Sequence, residues 1–311
     1  MLAGELTATL QQGSNIKAFF GKDAFKQAYE AAKDGAIITL STGTFNSVES
    51  IEKSISIIGY YAFSYSGRTS INSTKIKADN VKMEGLYFSD NVELGKISNC
   101  HIKRCYLNNR LTSTETHTNT FIDQCVVKYD YAIGTGVNYV IKNSTLYAFY
   151  VMNTVDNKAQ ITNCVIWRYF SSYSPDSQLK QPYAIYMNNV LGVYAYYSGK
   201  THSVNECSEF YYNYFADTDA SKYNFYISFP TGCINQGNST SYYVYYSGTY
   251  PADDHNWADK KGMDGTVVGI MGGSGFNGYP SIPRITSSSI DNHTDSQGKL
   301  NVKISATTGP N

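Results

Sequence analysis

Ile122-Asp123-Gln124-Cys125-Val126-Val127 returns as Ile141-Lys142-Asn143-Ser144-Thr145-Leu146 and again as Ile161-Thr162-Asn163-Cys164-Val165-Ile166. The order is apolar, any residue, a bend residue, small or apolar, any residue, apolar. The same pattern fits Met83-Glu84-Gly85-Leu86-Tyr87-Phe88, Ile97-Ser98-Asn99-Cys100-His101-Ile102 and Tyr186-Met187-Asn188-Asn189-Val190-Leu191. Weaker copies stand at Ile57-Ile58-Gly59-Tyr60-Tyr61-Ala62 and Val204-Asn205-Glu206-Cys207-Ser208-Glu209. Six of the eight copies place Gly or Asn third, and these residues tolerate positive φ best. Apolar positions on both sides of such a residue read as two short strands meeting at a sharp bend. The copies recur about every 21 residues. That length suits one coil of a solenoid stacked at roughly 4.8 Å per coil. One step, the 14 residues from position 86 to position 100, is too short for a full coil. Stacking should align Cys100, Cys125, Ser144 and Cys164 inside, and Asn99, Asn143, Asn163 and Asn188 along the bend.

Ahead of the repeats lies one helical segment. Asp23 can cap it, Ala24, Phe25, Ala28, Tyr29 and Ala32 recur at helical spacing, and Asp34-Gly35 can end it. Ala36-Ile37-Ile38-Thr39-Leu40 and Ile55-Ser56-Ile57-Ile58-Gly59 then read as short strands. This opening, from Phe20-Gly21-Lys22-Asp23-Ala24-Phe25 through Gly43-Thr44-Phe45, resembles that of many secreted bacterial β-helix proteins, where a helix plugs the first coil. Together with the repeats, residues 16 to 250 resemble the pectin-lyase-like superfamily. The resemblance implies an all-β chain: a right-handed parallel β-helix of about eight to ten coils with a capping helix near residues 23–34. Residues 1–250 are read as that solenoid. Residues 251–311, with their Gly-rich stretch from Gly262 to Gly278, are read as a C-terminal appendage closing it. Leu300-Asn301-Val302-Lys303-Ile304 alternates like a half-exposed strand.

The chain carries 25 basic and 25 acidic residues. A net charge of zero argues against a nucleic-acid partner, which calls for a basic surface. Disorder is excluded by an apolar content of 42% with 29 Tyr and 14 Phe. No apolar run approaches the roughly 20 residues that span a bilayer. Met1 to Leu10 lacks both the basic and the apolar regions of an intact signal peptide. The low charge and the abundance of Tyr, Ser, Thr and Asn point to a secreted or cell-surface protein. The oligomeric state is open. None of the six cysteines forms a CxxC or a Cys/His zinc spacing, so buried thiols are expected.

Candidate chemistry is sparse. Gly272-Gly273-Ser274-Gly275 lacks the Lys-Ser/Thr ending of a phosphate-binding loop and reads as a flexible loop. The Asn-Thr-Asp and Gly-His-Gly motifs of polygalacturonase-type β-helices are absent. Lyases of this fold use Arg or Lys as base, so the resemblance implies Lys128, Asp130 and Arg168 as catalytic candidates. No cofactor is required. Asp217 and Asp219 could hold calcium, as carboxylate pairs do. Tyr is concentrated between residues 194 and 250, and Tyr211, Tyr212, Tyr242 and Tyr243 are candidates for ligand contact, because a flat ring with a polar tip suits sugar faces. The first expectation for function is a non-catalytic, extracellular, bacterial surface module that contacts a polysaccharide or cell-surface glycan, or serves as an adhesin-like spacer. The alternative is a polysaccharide lyase or glycoside hydrolase acting on an acidic polymer. An enzyme of that kind needs its charged groups to converge in one groove.

Overall fold

A computed structural model describes residues 5–64, 67–113, 115–128, 131–133, 136–147, 149–151, 156–171, 183–194, 200–203, 208–217, 225–229, 231, 233–241, 259–281, 283–290, 293–294, 297–300 and 302–308. The chain opens with an antiparallel hairpin, β1 (Thr7–Gln12) and β2 (Asn15–Phe20), which the repeat pattern does not foretell. Helix α1 (Ala24–Ala31) follows, then β3 (Ile37–Leu40), which pairs with β1. Ala24, Phe25 and Ala28 are the buried face of α1 and join the solenoid core. Asp23 does not cap the helix through its side chain. Its carboxylate instead accepts a hydrogen bond from Asn46 at 2.8 Å. At the other end Lys53 donates to the carbonyls of Tyr29, Glu30 and Ala32 at 2.6, 3.1 and 2.8 Å, placing a cation on the negative end of the helix dipole.

From β3 onward the chain winds through three parallel sheets. Sheet A has twelve strands: β2, β1, then β3 and the parallel run that ends at Ile234–Gln236. Sheet B has ten, from Gly43–Thr44 to Ser239–Ser241, and sheet C has six, from Ser50–Ile51 to Phe149–Val151. Among the described residues one long apolar core runs up the interior of the coils, from Ala8 to Phe215.

The register corrects three copies of the repeat. In the copy at 57–62, Ile57 stands beside Met83, but Thr69-Ser70-Ile71, not Tyr60-Tyr61-Ala62, lies beside Leu86-Tyr87-Phe88. Ile102, not Ile97, stands beside both Met83 and Ile122. The copy in that coil is therefore Ile102-Lys103-Arg104-Cys105-Tyr106-Leu107. Likewise Phe210, not Val204, lies beside Tyr186, so Phe210-Tyr211-Tyr212-Asn213-Tyr214-Phe215 replaces the copy at 204–209. The interior ladder is Leu86, Cys105, Cys125, Ser144, Cys164, Asn189, Asn213 and Asn238. Side chains bridge its rungs: the Cys125 amide donates to Ser144 Oγ at 3.0 Å, the Cys164 amide to Asn189 Oδ1 at 2.8 Å, and the Asn213 amide to Asn238 Oδ1 at 2.8 Å. Cys100 lies outside this ladder, ahead of His101 in the preceding strand of its own coil.

From the third coil onward the residue at each bend between sheets A and B has positive φ: Gly85, Arg104, Gln124, Asn143, Asn163, Asn188, Tyr212 and Gly237, whereas Gly59 does not. A second left-handed position lies near the start of the sheet A segment of each of four coils, at Asn80, Asn99, Asn119 and Asn138. There each side-chain amide donates to the preceding Asn, at 3.1, 3.0 and 2.7 Å. Asn99 thus belongs to this outer ladder and not with Asn143, Asn163 and Asn188.

Cys100, Cys105, Cys125 and Cys164 are free thiols and buried. Burial pushes Cys100 and Cys164 up to about 12, so they stay protonated and inert. Cys233 is a free, partly buried thiol, and Cys207 lies outside the described residues.

The Gly-rich stretch is not a loose loop. Residues 259–281 run back along the A–B bends toward the N-terminal coils. The strap is pinned in sequence. Met263 N donates to Asn188 Oδ1 at 2.8 Å, Asn143 Nδ2 donates to the Ile270 and Gly272 carbonyls at 3.0 and 2.7 Å, and Gln124 Nε2 donates to the Gly275 carbonyl at 3.0 Å. At its far end Ser281 Oγ accepts from Arg104 at 2.8 Å. Val268 and Ile270 are buried against Val165, Trp167, Val190 and Tyr214 on the outside of sheet B. Glycine is needed because the strap touches the coils at backbone distance: a Cβ on Gly262 would meet the Asn188 side chain at 2.5 Å. Beyond the strap, Pro283–Ile290 and Val302–Thr308 form a separate antiparallel hairpin.

Candidate functional site

The strap covers the outside of sheet B, and the outward face of sheet A carries a row of charged residues. Strand alternation sends the second position of each repeat outward. Sheet register lines those positions up as Glu84, Lys103, Asp123, Lys142, Thr162, Met187 and Tyr211. A parallel outward column runs Lys82, His101, Phe121, Val140, Gln160, Ile185 and Glu209.

The centre of this face is Asp123, only 5% exposed. Its Oδ2 lies 3.9 Å from both Lys103 Nζ and Lys142 Nζ, on the strands to either side. Its Oδ1 is buried and accepts no hydrogen bond among the described residues. Beside it, His101 stacks obliquely on Phe121 with ring centroids 5.8 Å apart, and its Nε2 is also buried, with no hydrogen-bond partner among the described residues. Burial holds the His101 imidazole below its ordinary range, against the attraction of Asp123, so the ring is neutral near pH 7. Glu84, at the head of the column, is turned away to Arg104 at 2.7 Å. Lys103 and Lys142 therefore share the single Asp123 carboxylate, Lys82 lies in the neighbouring column beside His101, and the patch is positive on a chain of zero net charge.

Further along the same face the chemistry changes. Tyr211 donates its hydroxyl to Glu209 at 2.9 Å, and Lys158 pairs with the other Glu209 oxygen at 2.7 Å. Lys158 holds the Glu209 carboxyl below its usual range, and Glu209 in turn raises the Tyr211 phenol. The ring of Tyr211 is thereby fixed beside Met187.

The sequence candidates are scattered over this geometry. Tyr211 lies on the sheet A face. Tyr212 forms the next bend, at φ 52. Lys128 lies past the end of its sheet B strand, with Nζ 3.4 Å from Asn108 Oδ1. It is not on the face that holds Asp123. Arg168 is in the strand Val165–Ser171 and Asp217 ends the strand Tyr214–Asp217, but their side chains fall outside the described residues. Asp130, Asp219, Tyr242 and Tyr243 fall outside them altogether. Lys82, His101, Lys103, Asp123 and Lys142 are not singled out by the sequence pattern. For Lys103, Asp123 and Lys142 the signal is the second repeat position, and for Lys82 and His101 it is the residue just ahead of the first; both columns are complete only once the coil at 102–107 is in register. No group of three or more potential metal ligands occurs among the described residues, and no described helix is long and apolar enough to cross a membrane.

Three parallel sheets wound coil upon coil make this chain a parallel β-helix. No family model and no curated protein matches it. Among solved structures it is similar to one titled "Crystal structure of pectate lyase Pel9A", with 11% identity over 82% of this chain and 83% of that chain and a TM-score of 0.38. A likeness at that level says nothing about ligand or chemistry, so function rests on the residues themselves.

Proposed function

We propose that the outward face of sheet A binds a linear, carboxylate-bearing glycan lying along the solenoid axis, without turning it over. The observation that carries this reading is the placement of Lys103 and Lys142 on either side of one buried carboxylate, with the Phe121 ring at its flank and Lys82 in the neighbouring column. Successive coils rise roughly 4.8 Å, a step comparable to the length of a sugar ring, so Lys103 and Lys142, on the two coils that flank Asp123, are spaced to meet the acids of alternate rings of a linear polymer. Ammonium groups form charge-assisted bonds to carboxylates, and rings such as Phe121 and Tyr211 suit the apolar faces of sugars. An extracellular location agrees with such a ligand.

The test is titration calorimetry with an acidic oligosaccharide and a neutral one of equal length. Lys103→Ala and Lys142→Ala should each weaken binding of the acidic ligand by on the order of tenfold, since bonds to charged groups contribute about 1.5–3 kcal/mol. The melting point of each variant checks that Asp123 has not unsettled the fold. Equal affinity for both ligands, or variants that bind as tightly as the parent, would sink the proposal. Cleavage of the polymer by the parent chain would promote the catalytic alternative.

A further inference from the structure

Sheet A ends at β2, and the outer edge of β2 pairs with no strand among the described residues. An open edge is a template for another strand, and natural edges are blunted by charge, proline, bulges or short length. Strand β2 has few of these defences. It is six residues long, Asn-Ile-Lys-Ala-Phe-Phe, without Pro or Gly. Its single charge, Lys17, sits 4.8 Å from the centroid of the Phe19 ring. Ile16 and Phe20 are 70% and 55% exposed and lie on one side of the strand with Ala18.

We propose that two copies of the chain join edge to edge through β2, about a two-fold axis that passes beside Ala18. The register follows from strand geometry. In antiparallel pairing, directly opposite residues either exchange both backbone bonds or neither, so opposite residues must direct their amides to the same edge. A two-fold axis can therefore pass beside a residue but not between two. Centred on Lys17, the joint sets Lys17 against the partner's Lys17, a like-charge contact that is destabilising. Centred on Phe19, it leaves Ile16 without an opposite residue in the strand. Centred on Ala18, it sets Ile16 against the partner's Phe20, and Phe20 against the partner's Ile16, so the most exposed apolar groups of this hairpin cover one another. It also sets Lys17 against the partner's Phe19, repeating across the joint the cation–ring contact made within the strand. The occupant is a second copy because this pairing matches the charge and the apolar stripe of β2 to themselves. The joint is isologous and closes after two subunits.

The experiment is light scattering on the full chain across a concentration series, with two sets of variants. The parent should show twice the chain mass, and Ile16→Lys with Phe20→Lys should show the single mass with unchanged circular dichroism. Ala18→Cys should cross-link to a covalent dimer on mild oxidation, because opposite Cα atoms in such a ladder fall within disulfide reach. Phe20→Cys should cross-link far less. A parent that stays monomeric at high concentration overturns the proposal. So does a dimer indifferent to the paired lysines, or one that cross-links through Phe20→Cys as readily as through Ala18→Cys. Open-ended polymers would show a head-to-tail joint instead.

Discussion

Replacing Arg104 with Met is expected to lower the stability of the fold by about 3 to 5 kcal/mol, the usual result of removing one member of a buried ion pair. Arg104 is 1% exposed. Its Nη1 donates to Glu84 at 2.7 Å and to Ser281 at 2.8 Å, and its Nε donates to Gln124 Oε1 at 2.8 Å. One guanidinium thus joins three successive coils to the end of the strap. Met would leave the Glu84 carboxylate largely buried without its cation. It would also leave a side chain with no compensating bonds at φ 51, a region disfavoured for ordinary residues. Glu84→Gln should cost less, because the amide oxygen still accepts from Arg104. The two variants together should cost less than the sum, since each removes the reason for the other. Denaturation in urea with a thermal melt measures all three. A loss under about 1 kcal/mol for Arg104→Met would mean that the strap is not anchored there.

Acid should weaken the protein first through a buried histidine. His117 is fully buried; its Nδ1 lies 2.9 Å from Thr120 Oγ1, and its ring packs edge-on against Tyr139 with centroids 5.2 Å apart. Burial lowers its pKa from 6.5 to about 4. Between those values the unfolded chain binds the proton and the folded chain does not. The stability due to neutral His117 is complete above pH 6.5 and is lost as pH falls to about 4, in total on the order of 3 kcal/mol. His101, lowered for the same reason, adds to the loss with the same sign. The paired carboxylates Glu52 and Glu209 are held below 4.5, so their contribution falls away only at lower pH. His117→Gln should flatten the pH profile in the upper window and leave the lower one alone. A variant that tracks the parent through both windows would refute the assignment to His117.

The winding of the chain is legible in the sequence because the bend imposes a local rule. Where the rule is kept by Gly or Asn, as at Gly85, Asn143, Asn163 and Asn188, pattern and structure agree. It misleads at Asn99, because a second left-handed position uses the same residue and is flanked by similar apolar positions. The true bend of that coil is Arg104, a residue the rule does not admit. Its strained backbone is held by bonds to Glu84, Gln124 and Ser281, and the last of these lies 177 residues away. Tyr212 breaks the rule in the same way at the bend after Phe210. The charged face on sheet A was hidden by that single slip, since moving the copy from 97 to 102 brings Lys103 beside Asp123. The strap was hidden for a different reason: its contacts with Asn143, at separations of 127 and 129 residues, leave no periodic trace.

Lysine footprinting by reductive methylation, with and without a saturating acidic oligosaccharide, tests most directly where the chain meets its ligand. Lys103 and Lys142 border Asp123 on sheet A, whereas Lys128 lies past the end of a sheet B strand beside Asn108. The ligand should protect Lys103 and Lys142, with Lys82 beside them, and leave Lys128 as reactive as in the free protein. Protection of Lys128 with Lys103 and Lys142 unchanged would place the ligand off the sheet A face and contradict the proposed site.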